Sequence, residues 1–315
     1  MPYHDSEETL RITFHGGRKP NDPTKPRLRL SLSDVAAPPA VDWLSRVPSW
    51  PMYDNDRLGD CTCAAAGHAE QAWTAYASTE VTVPDAAVLK LYEAASGYDP
   101  ATGANDNGAV MQDVCGLWRK QGLGGHKILA FAQVDHTQPA QVRAAIADFG
   151  SVYVGFNFPA YAMDQFNAGQ PWDVQATNAA IEGGHAIHVG AYDAAAGTYR
   201  CTTWGRVQTL TGAFWGAYVD EAWVVITQEW IEANGSSPTG ADVAALGAEF
   251  TALTGQPSPF PAPSPTPTPT PAPSPTPAPS PDVDSALAAS LTRLLKTHSC
   301  PAYVRTPATA WLEAR

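Results

Sequence analysis

The positions of apolar residues predict helices in the middle of the chain. In 110–122 apolar residues recur every three or four positions, which indicates an amphipathic helix. Residues 61–73 are mostly small and follow the turn-forming pair Gly59-Asp60, so a helix is expected to begin there. A further helix, leading into a strand, is predicted over 141–155.

Other stretches alternate with period two and predict strands. In 183–193 this period puts His185 on one face and His188 on the other, so the two histidines do not share one site. A strand is also predicted at 28–32. Helices and strands together indicate an α+β fold.

Proline occupies every second position from 257 to 281, a composition that favours an extended polyproline helix and cannot build a core. The predicted divisions are therefore an N-terminal arm (1–37), a folded body (38–228), an extension of that body (229–256) with a helix at 241–253, a disordered Pro-rich linker (257–281) and a helical tail (282–315). Leucines recur in the tail at the spacing of one helical face. Such a short helix needs a partner, either its own domain or a second protein.

The net charge of -12 argues against two classes of partner. Phosphate backbones and anionic lipid surfaces would be repelled, so no nucleic acid and no membrane are expected. The first ten residues lack a basic segment followed by an apolar one, so a Sec signal is not expected. Five cysteines, an odd number, indicate a reducing compartment. A cytoplasmic location is the default expectation, with the virion or non-Sec export as alternatives.

Cys61 has the surroundings that a nucleophilic cysteine requires. Asp60 suits the N-cap, and Cys61 then lies in the first turn of the predicted helix. Unpaired N–H groups and the positive end of the helix dipole stabilise a thiolate there. The alternatives are an inert buried cysteine at 61 and a nucleophile at Cys63 instead.

Several segments in order resemble papain-like cysteine peptidases. Residues 38–43 (Pro-Pro-Ala-Val-Asp-Trp) resemble the family's Pro-x-x-Val-Asp-Trp entry, and 59–61 resemble its Gly-Ser-Cys. Residues 185–192 are similar to its His-Ala-Val-x-x-Val-Gly-Tyr strand, 200–205 to its Lys-Asn-Ser-Trp-Gly, and 220–226 to its closing strand. The resemblance spans about 190 residues, and the register of Gly-x-Cys favours Cys61 over Cys63. It suggests a divergent member, of phage or bacterial origin.

The resemblance implies a two-lobed α+β fold, with a helical lobe carrying Cys61 and an antiparallel, barrel-like β lobe carrying His185. Cys61 is then the nucleophile and His185 the base. Asn55 takes the position of the family's oxyanion-donating Gln, and Thr202 that of the Asn that orients the imidazole. Residues implied to line the substrate cleft are Gly59, Asp60, Gly184 and Trp204.

Three positions depart from the family pattern. Asn55 is one methylene shorter than Gln, Asp60 puts a carboxylate beside the thiol, and Thr202 orients an imidazole less firmly than an amide does. We favour a thiol hydrolase, a peptidase or amidase acting by proteolysis on a peptide or amide substrate. The alternatives are a binding or structural module, tethered by the Pro-rich linker to an assembly such as a phage particle, and a transferase.

No cofactor and no metal are expected. The histidines are scattered, and Cys61-x-Cys63 has no second Cys or His pair at zinc-ligand spacing. Gly-rich nucleotide-binding motifs are absent from the sequence.

Overall fold

The computed structural model describes residues 11–30, 37–77 and 79–227, together with 247–248, 251–252 and 257–258. Of the helix predicted at 241–253, the described residues 247–248 and 251–252 are helical. The tail helix and nearly all of the Pro-rich linker lie outside the described residues. No helix in the described part of the chain is long and apolar enough to cross a membrane.

Three helices form the first lobe. They are α1 (Cys61–Ala77), α2 (Asp85–Ser96) and α3 (Met111–Gln121). Helix α1 is buried over most of its length because its small residues let neighbouring segments approach closely. A Cβ added at Gly67 would lie only 2.9 Å from the Tyr53 ring, so the packing there depends on glycine. Helix α2 follows Pro84 and ends at Gly97, whose φ of 78° is the left-handed conformation that favours glycine.

The second lobe is a mostly antiparallel sheet with three more helices. Its strands are β2 (Leu28–Arg29), β3 (Ala40–Asp42), β5 (Ala130–Val134), β6 (Val152–Pro159), β7 (Ile181–Asp193), β8 (Thr198–Thr203), β9 (Arg206–Thr211) and β10 (Val219–Ile226). The helices are α4 (Pro139–Phe149), α5 (Tyr161–Asn167) and α6 (Gly212–Tyr218). The strand order is β2-β5-β10-β6-β7-β8-β9, with β3 paired to β7. Among the described strands of this sheet, only β2 and β5 pair in parallel.

The sheet is buried on both faces, and each face belongs to its own hydrophobic cluster. Along β10, Ala222, Val224 and Ile226 enter the cluster shared with α4 and α6, whereas Trp223 and Val225 enter the cluster shared with the first lobe. This alternation follows from the period of two in a strand. A strand buried on both faces is apolar throughout, as 222–226 is.

The N-terminal arm is packed against both lobes. Strand β1 (Arg18–Lys19) pairs in parallel with β4 (Ala109–Val110), a short strand that precedes α3. Strand β2 adds an edge to the main sheet, which confirms part of the strand predicted at 28–32. The α+β fold class is also confirmed by this architecture, and the helices predicted around 61–73 and 110–122 correspond to α1 and α3.

Shortening a central strand residue tests this packing. Val154 lies fully buried in β6, so Val154→Ala removes two methyl groups and leaves a cavity. We expect the free energy of unfolding, measured by urea denaturation, to fall by about 2 kcal/mol. Val207→Ala, at a site that is 38% exposed in β9, is the matched control and should change it by less than about 0.5 kcal/mol. Equal losses for the two variants would contradict the assigned burial.

Candidate active site

Cys61 is the first residue of α1, and its side chain is 1% exposed. Burial raises the pKa of the Cys61 thiol to about 12. Backbone N–H groups of Ala186 and Thr62 hydrogen-bond to the sulfur and oppose that rise in pKa, whereas the charge of Asp60 adds to it. The Cys61 sulfur therefore lies beside the peptide unit that follows His185, at the start of a helix.

The turn before Cys61 is held by Asn55. Its Nδ2 donates to Asp60 Oδ1 at 2.9 Å and to the Leu58 carbonyl at 3.3 Å. Both hydrogens of the amide are therefore used within the turn, and the predicted role of Asn55 as an oxyanion donor does not fit this arrangement. The reason is the shorter side chain, which reaches the adjacent Asp60 and no farther.

Asp60 is fully buried, and burial raises the pKa of its carboxyl well above the ordinary value. Among the described residues its Oδ2 has no hydrogen-bond partner. Burial therefore favours the protonated carboxyl. The expected effect of Asp60 on the Cys61 thiol is present, but it is smaller than the effect of burial.

Asp106 ties the turn before Cys61 to other parts of the first lobe. Its Oδ1 accepts the Gly59 N–H at 2.9 Å and the Tyr92 hydroxyl at 2.6 Å. The Tyr92 oxygen in turn accepts the Gly108 N–H at 3.0 Å. The turn before Cys61, helix α2 and the residue before β4 are thus joined by one short hydrogen-bonded chain.

His185 lies near the start of β7 and is 1% exposed. Its Nε2 is 2.9 Å from Thr203 Oγ1. Trp204 stacks on the imidazole with ring centroids 4.3 Å apart and an interplanar angle of 15°. The pKa of His185 is lowered to about 3. Burial is the larger cause, and the positive charge of Arg18 is the second. The imidazole is neutral in this arrangement, with its orientation held by Thr203 and Trp204.

The predicted partnership between Thr202 and His185 is wrong. Thr202 Oγ1 lies 3.0 Å from Nδ1 of His188, the residue directly opposite in the β7–β8 ladder. Since successive strand residues point to opposite faces, Thr203 is the threonine on the side of His185. His188 is fully buried, so it packs within the protein and does not meet solvent.

Trp204 reaches the imidazole because of the hairpin turn after β8. Trp204 and Gly205 form a two-residue connection between β8 and β9, with φ values of 45° and 72°. Two consecutive left-handed residues match the twist of a tight hairpin. The Trp204 Nε1 donates to the Asn55 carbonyl at 3.2 Å, which also links this turn to the nucleophile segment.

The N-terminal arm lies in the cleft between the two lobes, with Gly184, the residue before His185, on one side and Ala109 on the other. The Gly17 N–H donates to the Gly184 carbonyl at 3.0 Å, and the Gly17 carbonyl accepts the Ala109 N–H at 2.8 Å. Arg18 influences the pKa of both Cys61 and His185. The structure thus brings Cys61, His185, Gly59, Gly184 and Trp204 around one segment of the chain itself.

Residues of this site that sequence reasoning missed are Phe14, Gly17, Arg18, Asp106, Thr203 and Glu221. Arg18 Nη1 donates to Glu221 Oε1 at 2.8 Å, in a pair whose side chains are at most 5% exposed. A carboxylate within the apolar run of 219–226 is a signal for such a partner, because a buried carboxylate requires a cation or donors. In the arm, the signal is the consecutive pair Gly16-Gly17, because glycines allow another backbone to approach closely.

The described cysteines, Cys61, Cys63, Cys115 and Cys201, are free thiols. Cys63 is fully buried, and burial raises its pKa well above the ordinary value. Within the described ranges no group of three His, Cys, Asp or Glu side chains is arranged to hold a metal ion.

No protein-family model matches the chain, and no curated protein matches it. Among solved structures it is similar to xylellain, a cysteine protease from Xylella fastidiosa, with a TM-score of 0.54 and 18% identity over 69% of this chain and 97% of that one. The chain has the papain-like fold. Further matches are digestive procathepsin L 3 of Tenebrio molitor (TM-score 0.46, 13% identity, 64% and 73% of the two chains) and the protease and lectin-like domains of Cwp84 from Clostridium difficile (0.49, 11%, 70% and 56%). This fold is shared with cysteine peptidases.

The raised pKa of Cys61 predicts an unusual pH profile for alkylation. Because the thiolate is the reactive form, a pKa of about 12 should make the rate at pH 7 slow and keep it rising beyond pH 9. The measurement is the rate of iodoacetamide modification of Cys61 between pH 6 and 10, followed by peptide mass mapping of the intact, folded chain. A rate that levels off below pH 8 would show that the thiol is not buried as described.

Proposed function

We propose that this protein is a thiol hydrolase that cleaves peptide bonds with Cys61 as nucleophile and His185 as general base. The observation that supports this most directly is the environment of the two groups. The Cys61 sulfur lies at the start of α1 and against the backbone of Ala186, the residue after His185, and the His185 imidazole is held by Thr203 and Trp204. A nucleophile, a base and a residue that orients the base are the parts that such chemistry requires.

The hydrogen bond between His185 Nε2 and Thr203 Oγ1 indicates which ring nitrogen would act as the general base. With Nε2–H donated to Thr203 Oγ1, the bare nitrogen is Nδ1. Nδ1 accepts the thiol proton as the sulfur attacks the peptide carbonyl, and the resulting imidazolium returns that proton to the departing amine. Water then hydrolyses the thioester. Because Asn55 is used in the turn, the backbone N–H of Cys61, at the start of the helix, is the donor we assign to the oxyanion.

Hydrolysis of another peptide requires the arm to leave the cleft. With the arm in place, burial holds the thiol pKa near 12 and the imidazole pKa near 3, so both groups are neutral at pH 7. Water that replaces the arm would remove the main cause of both shifts. The two pKa values would then approach each other, and the proton could pass from sulfur to nitrogen. The chain as described is the resting form of the proposed enzyme.

A binding module is the second candidate, and the same observations favour it. A cleft filled by its own chain, beside a thiol that is not ionised, is also what a non-catalytic scaffold would show. On this reading the cleft holds peptides without cleaving them. The Pro-rich segment 257–281 would tether that module to a larger assembly, for which a phage particle is one candidate.

Hydrolysis by this pair predicts a specific loss of activity. In a chain whose arm is displaced by Gly17→Ala, further substitution by Cys61→Ser or His185→Ala should lower kcat for peptide cleavage by about a thousandfold or more. Cys63→Ser is the matched control and should retain activity. Peptide cleavage is followed by mass spectrometry, which also detects amine incorporation, the mark of a transferase. Peptide binding without any turnover would favour the binding module.

The two adjacent threonines provide a sharper test of the orientation of His185. In the chain whose arm is displaced by Gly17→Ala, Thr203→Val keeps the shape of the side chain but removes the oxygen at His185 Nε2, and should lower kcat by about tenfold to a hundredfold. Thr202→Val removes the oxygen at His188 and should leave kcat within about twofold, although both variants lose stability. The reverse ranking of the two kcat values would restore Thr202 as the orienting residue.

A further inference from the structure

The segment of the arm inside the cleft contacts it through backbone and side chains together. Gly17 is clamped from both walls, by the Gly184 carbonyl on one side and the Ala109 N–H on the other. Phe14 precedes it and Arg18 follows it, and each has its own set of contacts. The cleft therefore has three separable features that determine which peptide it can hold.

The clamped backbone has no room for a side chain. A Cβ added at Gly17 would lie 2.1 Å from the Gly59 carbonyl oxygen, although the φ of Gly17 is not in the left-handed region. Glycines in the walls of the cleft lie equally close to the backbone of the arm. A Cβ at Gly108 would lie 2.2 Å from the Gly17 carbonyl oxygen, and one at Gly184 would lie 2.4 Å from the Arg18 carbonyl oxygen. We call these four residues, Gly17, Gly59, Gly108 and Gly184, the glycine crossing. All the neighbours within 3.0 Å of these added Cβ atoms are backbone atoms, which cannot move aside as the end of a side chain can.

Gly16 adds a second requirement for glycine. Its φ of 30° lies in the left-handed region, where other residues are strained. A Cβ added at Gly59 would lie 2.7 Å from the Gly16 carbonyl oxygen. Gly16 is therefore required by conformation and Gly17 by space, which makes a consecutive pair of glycines the only sequence that fits without movement.

Phe14 occupies an aromatic site beside the catalytic histidine. Its ring stacks on Phe158 at 4.2 Å with an interplanar angle of 7°, and its edge meets Trp204 and His185 at 6.4 and 5.9 Å. Stacked and edge-to-face contacts of this kind favour an aromatic ring over an aliphatic side chain.

Arg18 fills an acidic site on the far side of the glycine crossing. Its guanidinium donates to Glu221 Oε1 and Asp220 Oδ2, both at 2.8 Å, and the side chain is 3% exposed. Gly155 makes this space, because a Cβ there would lie 2.6 Å from Arg18 Cδ and 2.7 Å from Glu221 Cγ. Two carboxylates that receive separate N–H groups suit the planar fork of arginine better than the single ammonium of lysine.

We propose that the cleft is selective for peptides with the pattern aromatic-x-Gly-Gly-Arg, and that residues 14–18 of the arm occupy it as an internal copy of that ligand. The selectivity rests on the proposed function in one respect, that the same cleft is where cleavage would occur. Binding of such a peptide does not itself require cleavage. The two properties can therefore fail separately.

The test uses the full chain carrying Gly17→Ala, in which the added methyl group should drive the arm out of the cleft. Alkylation of Cys61 at pH 8 should then be about tenfold faster than in the wild type, since the added methyl group overpacks the arm against backbone that cannot move aside. Gly116→Ala is the matched control, because a Cβ at Gly116 meets nothing within 4 Å. Should Gly17→Ala unfold the protein, as judged by circular dichroism, Phe14→Ala opens the cleft by a milder change.

A synthetic peptide with the sequence of residues 12–19 is then added to the opened chain, and protection of Cys61 from iodoacetamide is measured. The peptide should protect, and its variants carrying Gly17→Ala or Arg18→Gln should need about tenfold to a hundredfold higher concentrations. A peptide carrying His15→Ala is the control and should protect as the parent does, because His15 is exposed.

Equal protection by all four peptides, or by none, would overturn the proposed selectivity, as would a Cys61 that stays unreactive in both opened chains. Cleavage of the peptides is measured separately by mass spectrometry. Selective protection without cleavage would support the ligand pattern and refute the hydrolase. Indiscriminate cleavage would support the hydrolase and refute the pattern.

Discussion

Two backbones cross at Gly17 with no space between them for a side chain. The walls on either side also contain glycines, Gly59 in the turn before Cys61 and Gly184 within β7, next to His185. Hydrogen bonds from Gly17 to both walls join the helical lobe to the β lobe through the arm. Since the closest contacts are between backbone atoms, the relative position of Cys61 and the start of β7 depends on glycine at each of these sites.

Burial has the largest effect on the electrostatics of the candidate site. The thiol of Cys61 and the imidazole of His185 are both held neutral, and in each case loss of solvent is the largest cause. Asp60 is shifted toward its protonated form for the same reason. Arg18 is the charged group inserted among them, and it is balanced by Glu221 and Asp220. A change that admits water should therefore alter several titrating groups together.

A hydrogen-bonded network holds the turn before Cys61, where Asn55 and Asp60 depart from the papain-like pattern. Asn55 and Asp60 hold the turn, and Asp106 attaches it to α2 and to the residue before β4. Glycine at 59 exposes the N–H that Asp106 accepts. On the other lobe, the hairpin turn at Trp204 and Gly205 presents one ring to the imidazole while Thr203 binds its nitrogen. Neighbouring threonines thus have different partners, although they look interchangeable in the sequence.

The sequence alone determined the features that depend on neighbours in the chain. The turn residues and the small residues around Cys61 placed it at a helix start, although the Asp60 side chain bonds Asn55 and does not cap the helix. The period of two in 183–193 separated His185 from His188. Tertiary structure decided the rest. The choice between Thr202 and Thr203 depended on strand register, and Arg18 met Glu221 across 203 positions of sequence. The passage of the arm through the cleft likewise rests on contacts between distant backbones, which neither periodicity nor composition records.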